Sequence, residues 1–140
     1  MLFYLNKLKV TFYYQNWTIL SLLFIIPIGF YSKFYSGLAS HWINNSLSGV
    51  FYEIFWCILI FLFLKNENPL KIVMFVLFTT CLLEFLQLID FALLKFIRSY
   101  FIGRILIGTT FVWSDFLYYF IGSAIGWLWI MQLKKCQFNS

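Results

Sequence analysis

The sequence predicts an all-α integral membrane protein: a bundle of four spanning helices, with an interfacial or re-entrant helix in the connection between the third and the fourth. Three observations carry that expectation. Apolar residues fill 63% of the 140 positions and Asp, Glu, Lys and Arg only 11%, where a soluble domain carries about a quarter. Apolar runs long enough to cross roughly 30 Å of hydrocarbon recur along nearly the whole chain. The remaining charges sit mostly between and beside those runs. The net charge of +5 therefore reads as a topology signal and not as a nucleic-acid footprint. A single transmembrane domain over 1–140 is expected, with no segment left for a separate soluble domain.

The first span is placed at about 13–31, with Tyr13, Tyr14 and Trp17 as an interfacial aromatic belt at its start. Pro27 and Gly29 predict a kink near its far end, because proline removes a backbone donor. Lys7 and Lys9 before this run and Ala39-Ser40 after it resemble a cleaved signal, but three more spans follow, so a retained helix is expected. The second span is placed at about 47–64 and the third at about 70–89. The polar, proline-ended connection Lys65-Asn66-Glu67-Asn68-Pro69 makes these two a tight antiparallel hairpin. The fourth is placed at about 111–131, closing on Trp127 and Trp129 and then Lys134-Lys135.

The connections at about 32–46 and 90–110 are long and rich in aromatics, which places them at the interface. In the second, Phe91, Leu94, Ile97 and Phe101 recur at helical spacing while Lys95, Arg98 and Ser99 fall elsewhere, the pattern of a short amphipathic helix. The side holding both termini and the short turn carries Lys7, Lys9, Lys65, Lys71, Lys134 and Lys135; the opposite side carries Lys33, Lys95, Arg98 and Arg104. That bias favours cytoplasmic termini in a multi-pass protein of the inner (plasma) membrane. Cys57 and Cys81 fall inside apolar runs and Cys136 in the tail, with no CxxC, so free thiols are expected instead of a zinc site or disulfides. With His41 as the only histidine, no metal and no cofactor are expected. The stretch from Ser48 to Tyr52 resembles that from Ser114 to Tyr118, each opening an even-numbered helix. Two hairpins related by an axis along the membrane normal would produce this, as would chance similarity of common residues.

Polar residues inside the spans locate the candidate site. On the third helix Thr80, Cys81, Glu84 and Gln87 share one face by their spacing of three and four. Glu84 lies roughly 7–8 Å below the outer end at ~1.5 Å per residue. On the fourth, Asp115, Tyr118, Tyr119, Gly122 and Gly126 share a face, and Gly122 and Gly126 form a GxxxG that lets another helix approach closely. Tyr52 and Glu53 lie at comparable depth on the second helix, with Glu53 expected to snorkel one turn to water. His41-Trp42 is expected as an interfacial pair. A charge at the bilayer centre costs about 2.5–3.5 kcal/mol on insertion scales, so the acids need partners. Arg98 and Arg104, able to pair bidentately with carboxylates, are the expected ones, with the loop of 90–110 folded down to deliver them. Two readings stay open. The pairs are a structural clasp pinning loop to helix ends, or they also line a cavity whose arginines receive an anionic lipid or glycan-phosphate headgroup.

The run Leu83-Glu84-Phe85-Leu86-Gln87, the loop with Arg98 and Gly103-Arg104, and Asp115 with Tyr118 and Gly122 resemble the core of the VanZ-like membrane proteins. Over nearly its whole length the chain more closely resembles a small bacterial membrane-protein family, domain of unknown function 2809, with Ile26-Pro27-Ile28-Gly29-Phe30-Tyr31-Ser32-Lys33 and Gly108-Thr109-Thr110-Phe111-Val112-Trp113-Ser114-Asp115-Phe116 among its typical stretches. The VanZ likeness covers chiefly 80–126 and implies Glu84, Gln87, Arg98 or Arg104, and Asp115 as the functional core. VanZ-type proteins are associated with tolerance of teicoplanin at the bacterial envelope, a phenotype that does not transfer to this chain. Gly49 departs from the pattern, standing where related chains often show an acid, which points to a degenerate first half.

Three functions remain open at this point. The first is a non-enzymatic envelope protein that binds membrane lipid, in particular an anionic or lipid-linked headgroup at the outer leaflet. The second is an enzyme acting on such a headgroup with Glu84 or Asp115 as general base, although HExxH and any nucleophilic cysteine beside the basic loop are missing. The third is an oligomeric transporter subunit assembled through the Gly122/Gly126 face. No nucleic acid is expected as a partner.

Overall fold

The computed structural model describes residues 1–108 and 110–138, with the backbone alone described for 10–14, 137 and 138. All regular structure among the described residues is helical. Helix α1 (Leu2–Lys33) runs unbroken through Pro27 and begins well before the apolar run. The Tyr13 and Tyr14 side chains of the expected aromatic belt lie outside the described residues, and Trp17 is exposed. Helix α2 (Ser40–Phe63) also starts earlier than expected, leaving only 34–39 between it and α1. The polar run after His41 has weak helix propensity, but its side chains bond locally. Asn44 Nδ2 donates to Tyr35 O at 3.0 Å, and Ser48 Oγ donates to Asn44 O. A π-helical turn at Ile43–Leu47 takes up the extra residue.

Helix α3 (Pro69–Leu86) opens as the turn chemistry predicts. Asn68 Oδ1 accepts from Leu70 N at 3.0 Å, and Pro69, which has no N–H to lose, occupies the first helical position. Asn68→Ala is expected to lower stability by about 1 kcal/mol, read by thermal unfolding in detergent; an unchanged midpoint would remove the cap's role. The helix ends at Leu86, short of the expected 89, as the N–H groups of Gln87, Leu88 and Ile89 turn to carbonyls three residues back.

The connection expected to hold one amphipathic helix holds two, α4 (Ala92–Ser99) and α5 (Phe101–Ile107). The chain is extended at Tyr100 between them. The elbow closes tightly enough that a Cβ on Gly103 would sit 1.8 Å from Ile97 O, so only glycine fits there. Helix α6 (Trp113–Phe138) completes the chain.

Helices α2 and α6 lie side by side and parallel: Gly49 meets Tyr119, Gly122 meets Val50 and Glu53, and Gly126 meets Cys57. Helices α1 and α3 each pack against both members of that pair. One buried group joins Leu22 and Ile25 of α1 to Val50, Ile54 and Ile58 of α2. A second joins Cys57 and Phe61 to Ile72, Val73, Val76 and Ile130. The ends of α1 and α3 therefore meet the beginnings of α2 and α6, and α5 covers that end with α4 packed on it. The turn at 64–68 lies at the other, where Lys134 Nζ donates to Glu67 O at 2.5 Å.

Among the described residues three helices, Ser40–Phe63, Pro69–Leu86 and Trp113–Cys136, are long and apolar enough to cross a membrane. They carry outward-facing phenylalanines such as Phe75, Phe78 and Phe120, whose exposure to water would be costly.

Candidate functional site

The end of α3 presents Glu84, 1% exposed, to three neutral donors. Its Oε2 accepts from Gln87 Nε2 at 2.8 Å and from Tyr119 OH at 3.1 Å; its Oε1 accepts from Val112 N at 3.2 Å. One carboxylate thus holds its own helix, α6 and the segment leading into α6. Gln87 extends the network by donating from the same Nε2 to Ile107 O at 2.8 Å. Its Oε1 is buried without a partner among the described residues. Gly108, at φ 80°, leaves room for that amide, since a Cβ there would stand 2.9 Å from Gln87 Nε2.

The loop of 90–110 does fold onto the helices, but by bonds to its backbone. Besides the Gln87 contact, Tyr52 OH donates to Leu106 O at 2.7 Å. The arginines do not pair with the buried acids as expected. Among the described residues the ion pair found is Lys95–Asp90, at 2.8 Å and on the surface. Arg98, on α4, leaves Nε and Nη2 buried without a hydrogen-bond partner among the described residues. The physical reason is that Tyr119, Gln87 and a backbone N–H already meet the needs of Glu84, and neutral donors cost less to bring out of water than guanidinium groups.

Glu53 also differs from expectation. It is fully buried and does not snorkel: Oε1 accepts from Ser123 Oγ at 2.9 Å, and Oε2 has no hydrogen bond among the described residues. Gly122 presses α6 against it, as a Cβ there would lie 2.7 Å from Glu53 Cβ and 2.8 Å from Val50 O. Gly122 and Gly126 are thus spent on the contact with α2. The oligomer face assigned to them is occupied within the chain.

A cavity of about 450 Å³ opens beside this network. Lys33, Glu84, Gln87, Arg104, Asp115 and Tyr119 give it a polar lining, and Ile25, Phe30, Phe55 and Trp56 supply an apolar wall. Of the residues singled out from the sequence, Glu84, Gln87, Arg104 and Asp115 are brought together there. Arg98 and Tyr118 do not line it. Tyr118 OH instead accepts from Trp42 Nε1 at 2.8 Å. Lys33 and Tyr119 join the site unassigned by the sequence, although the spacing already placed Tyr119 on the Asp115 face. An acid inside an apolar run is by itself a signal for a buried polar site, and Glu53 carried it.

The matching stretches at 48 and 114 lie on the two parallel neighbours α2 and α6, the second at the start of its helix and the first well inside its own. Their tyrosines bond crosswise, Tyr52 to Leu106 on α5, which precedes α6, and Tyr118 to Trp42 in the first turn of α2. Among the described residues no group of three His, Cys, Asp or Glu side chains could hold a metal ion.

A family model described as a protein of unknown function (DUF2809) matches residues 38–123. No curated protein matches the chain, and no solved structure does.

Proposed function

We propose, for a chain that belongs to the DUF2809 family, a non-enzymatic role: binding an anionic lipid or lipid-linked headgroup in the cavity beside Glu84. In this reading α1 crosses the membrane with α2, α3 and α6 as one four-helix transmembrane domain, and α4 and α5 lie at the outer interface. The protein sits in the plasma membrane with both termini cytoplasmic, on the side richer in lysine. The VanZ-like arrangement of Glu84, Gln87, Arg104 and Asp115 agrees with a role at the cell envelope.

One observation carries this reading. Lys33 and Arg104 line a cavity with an apolar wall, and neither forms an ion pair among the described residues. Arginine offers a planar fork and lysine a point charge, the usual pair of devices for holding phosphate. An apolar wall beside them suits acyl chains.

Native mass spectrometry of protein titrated with phosphatidylglycerol tests the reading. The wild type is expected to retain the lipid, and the Lys33→Ala/Arg104→Ala double variant to bind at least about tenfold more weakly. Both side chains are exposed, so the helical circular dichroism should not change. A wild type that retains no anionic lipid, or a double variant that binds as well, would overturn it.

The enzymatic alternative has one observation in its favour. Asp115 lines the cavity with no hydrogen bond or ion pair to its carboxylate among the described residues, whereas Glu84 already accepts three. A general base in this cavity would be Asp115. Turnover of a headgroup that disappears in Asp115→Asn would support this second reading.

A further inference from the structure

We infer that the cavity recognises a zwitterionic aminophospholipid, with the phosphate held by Lys33 and Arg104 and a primary ammonium held between Asp115 and Gln87. The inference rests on the reading above that Lys33 and Arg104 hold the phosphate of a lipid headgroup, and replaces a purely anionic headgroup by one that also carries an ammonium.

The orientation of one amide sets the first requirement on the ligand. Gln87 Nε2 donates to two acceptors, Glu84 Oε2 and Ile107 O, both at 2.8 Å. An oxygen in that place would face two other oxygens, so the amide cannot be turned over. Its Oε1 is consequently fixed as an acceptor, and it is buried without a donor among the described residues. A buried acceptor left unpaired costs about 1–3 kcal/mol, and Gln87 lines the cavity. A ligand carrying an N–H or O–H donor would relieve that cost once the Gln87 side chain shifts enough to open Oε1, which has no accessible surface as the cavity stands.

The charges narrow the choice. Lys33 and Arg104 line the cavity together with Glu84 and Asp115, two positive groups with two negative ones. Glu84 already accepts three hydrogen bonds, while the Asp115 carboxylate has none among the described residues. A headgroup that is only anionic would satisfy the two cations and leave Asp115 facing a like charge. A phosphate joined to a primary ammonium answers both sets. Three N–H donors on the ammonium suffice for the Asp115 carboxylate and for Gln87 Oε1. A quaternary ammonium has the same charge and no N–H, so it leaves Gln87 unsatisfied. The volume of about 450 Å³ lies in the range of small-molecule sites, and Ile25, Phe30, Phe55 and Trp56 offer the wall against which the first acyl carbons pack.

Competition among phosphatidylethanolamine, phosphatidylcholine and phosphatidylglycerol of identical acyl chains, on the full chain in detergent and read by native mass spectrometry, tests this. Phosphatidylethanolamine is expected to bind at least about tenfold tighter than either of the others. Asp115→Asn is expected to erase its advantage over phosphatidylglycerol without weakening phosphatidylglycerol itself, a reversal of preference that mere loss of structure would not give. Equal affinity for ethanolamine and choline lipids would overturn the inference. Phosphatidylglycerol bound as tightly as phosphatidylethanolamine, yet lost in Lys33→Ala/Arg104→Ala, would sink the inference and leave the anionic reading standing. Retention of no phospholipid would sink both. Free phosphoethanolamine binding as tightly as the lipid would remove the role given to the apolar wall.

Discussion

Replacing Gly122 by leucine is expected to abolish the folded protein. At this position α6 runs so close to α2 that even a single added carbon would lie 2.8 Å from Val50 O and 2.7 Å from Glu53 Cβ. The first is backbone, and the second belongs to a side chain that is itself fully buried, so neither can step aside cheaply. Overpacking a well-filled core costs about 1–3 kcal/mol, and separating two helices along their contact costs more, because Ser123 would also lose its bond to Glu53. We expect Gly122→Leu to give no monodisperse peak in size-exclusion chromatography. Gly126→Ala should be milder, as its new carbon would meet Cys57 Cβ and Sγ at 3.1 and 3.2 Å. Gly29→Ala is the control: its carbon would stand 3.7 Å from Phe51 Cβ, an ordinary contact, and replacing a helical glycine gains about 0.5–1 kcal/mol. A Gly122→Leu protein that runs and melts like Gly29→Ala would refute the close packing of α2 and α6.

The second large effect is expected at Glu84. Alanine there strands Tyr119 OH and Val112 N, each at about 1–3 kcal/mol, and frees the segment between α5 and α6 from the end of α3. The expected loss is therefore about 2–6 kcal/mol, large against the 5–15 kcal/mol that hold a typical domain. Glu84→Gln keeps the volume and one acceptor, so it should lose less. Tyr119→Phe removes one donor of three and should lose least. Unfolding in detergent under a denaturant series orders the three. An alanine variant as stable as the wild type would mean that these bonds do not hold the network together.

Much of this architecture was legible in the residues, for reasons that also explain what was not. Apolar runs and the Asn68-Pro69 signal place α2 and α3 and the turn between them, because hydrocarbon length and capping chemistry act locally. The early start of α2 was hidden because Asn44, Asn45, Ser46 and Ser48 look like loop residues, and the π turn that accommodates them depends on Asn44 reaching Tyr35. The face carrying Glu84 and Gln87 followed from helical spacing alone. Which donors would satisfy Glu84 did not follow. The cost of isolated charge pointed to Arg98 and Arg104, whereas Tyr119 and the N–H of Val112 do the work once packing brings them close. Backbone donors leave no trace in composition. Lys33 reads in the sequence only as a loop charge, since its place in one cavity with Arg104 depends on the end of α1 and α5 lining a common space.

Density for a bound lipid in a cryo-electron microscopy map of the protein in nanodiscs of phosphatidylethanolamine and phosphatidylglycerol would bear most directly on the cavity. The account predicts a headgroup lodged between Lys33, Arg104 and Asp115, with its chains running along Phe30 and Phe55. A cavity closed by an ion pair between Arg104 and Asp115, with lipid density only around the outside of the helices, would contradict it.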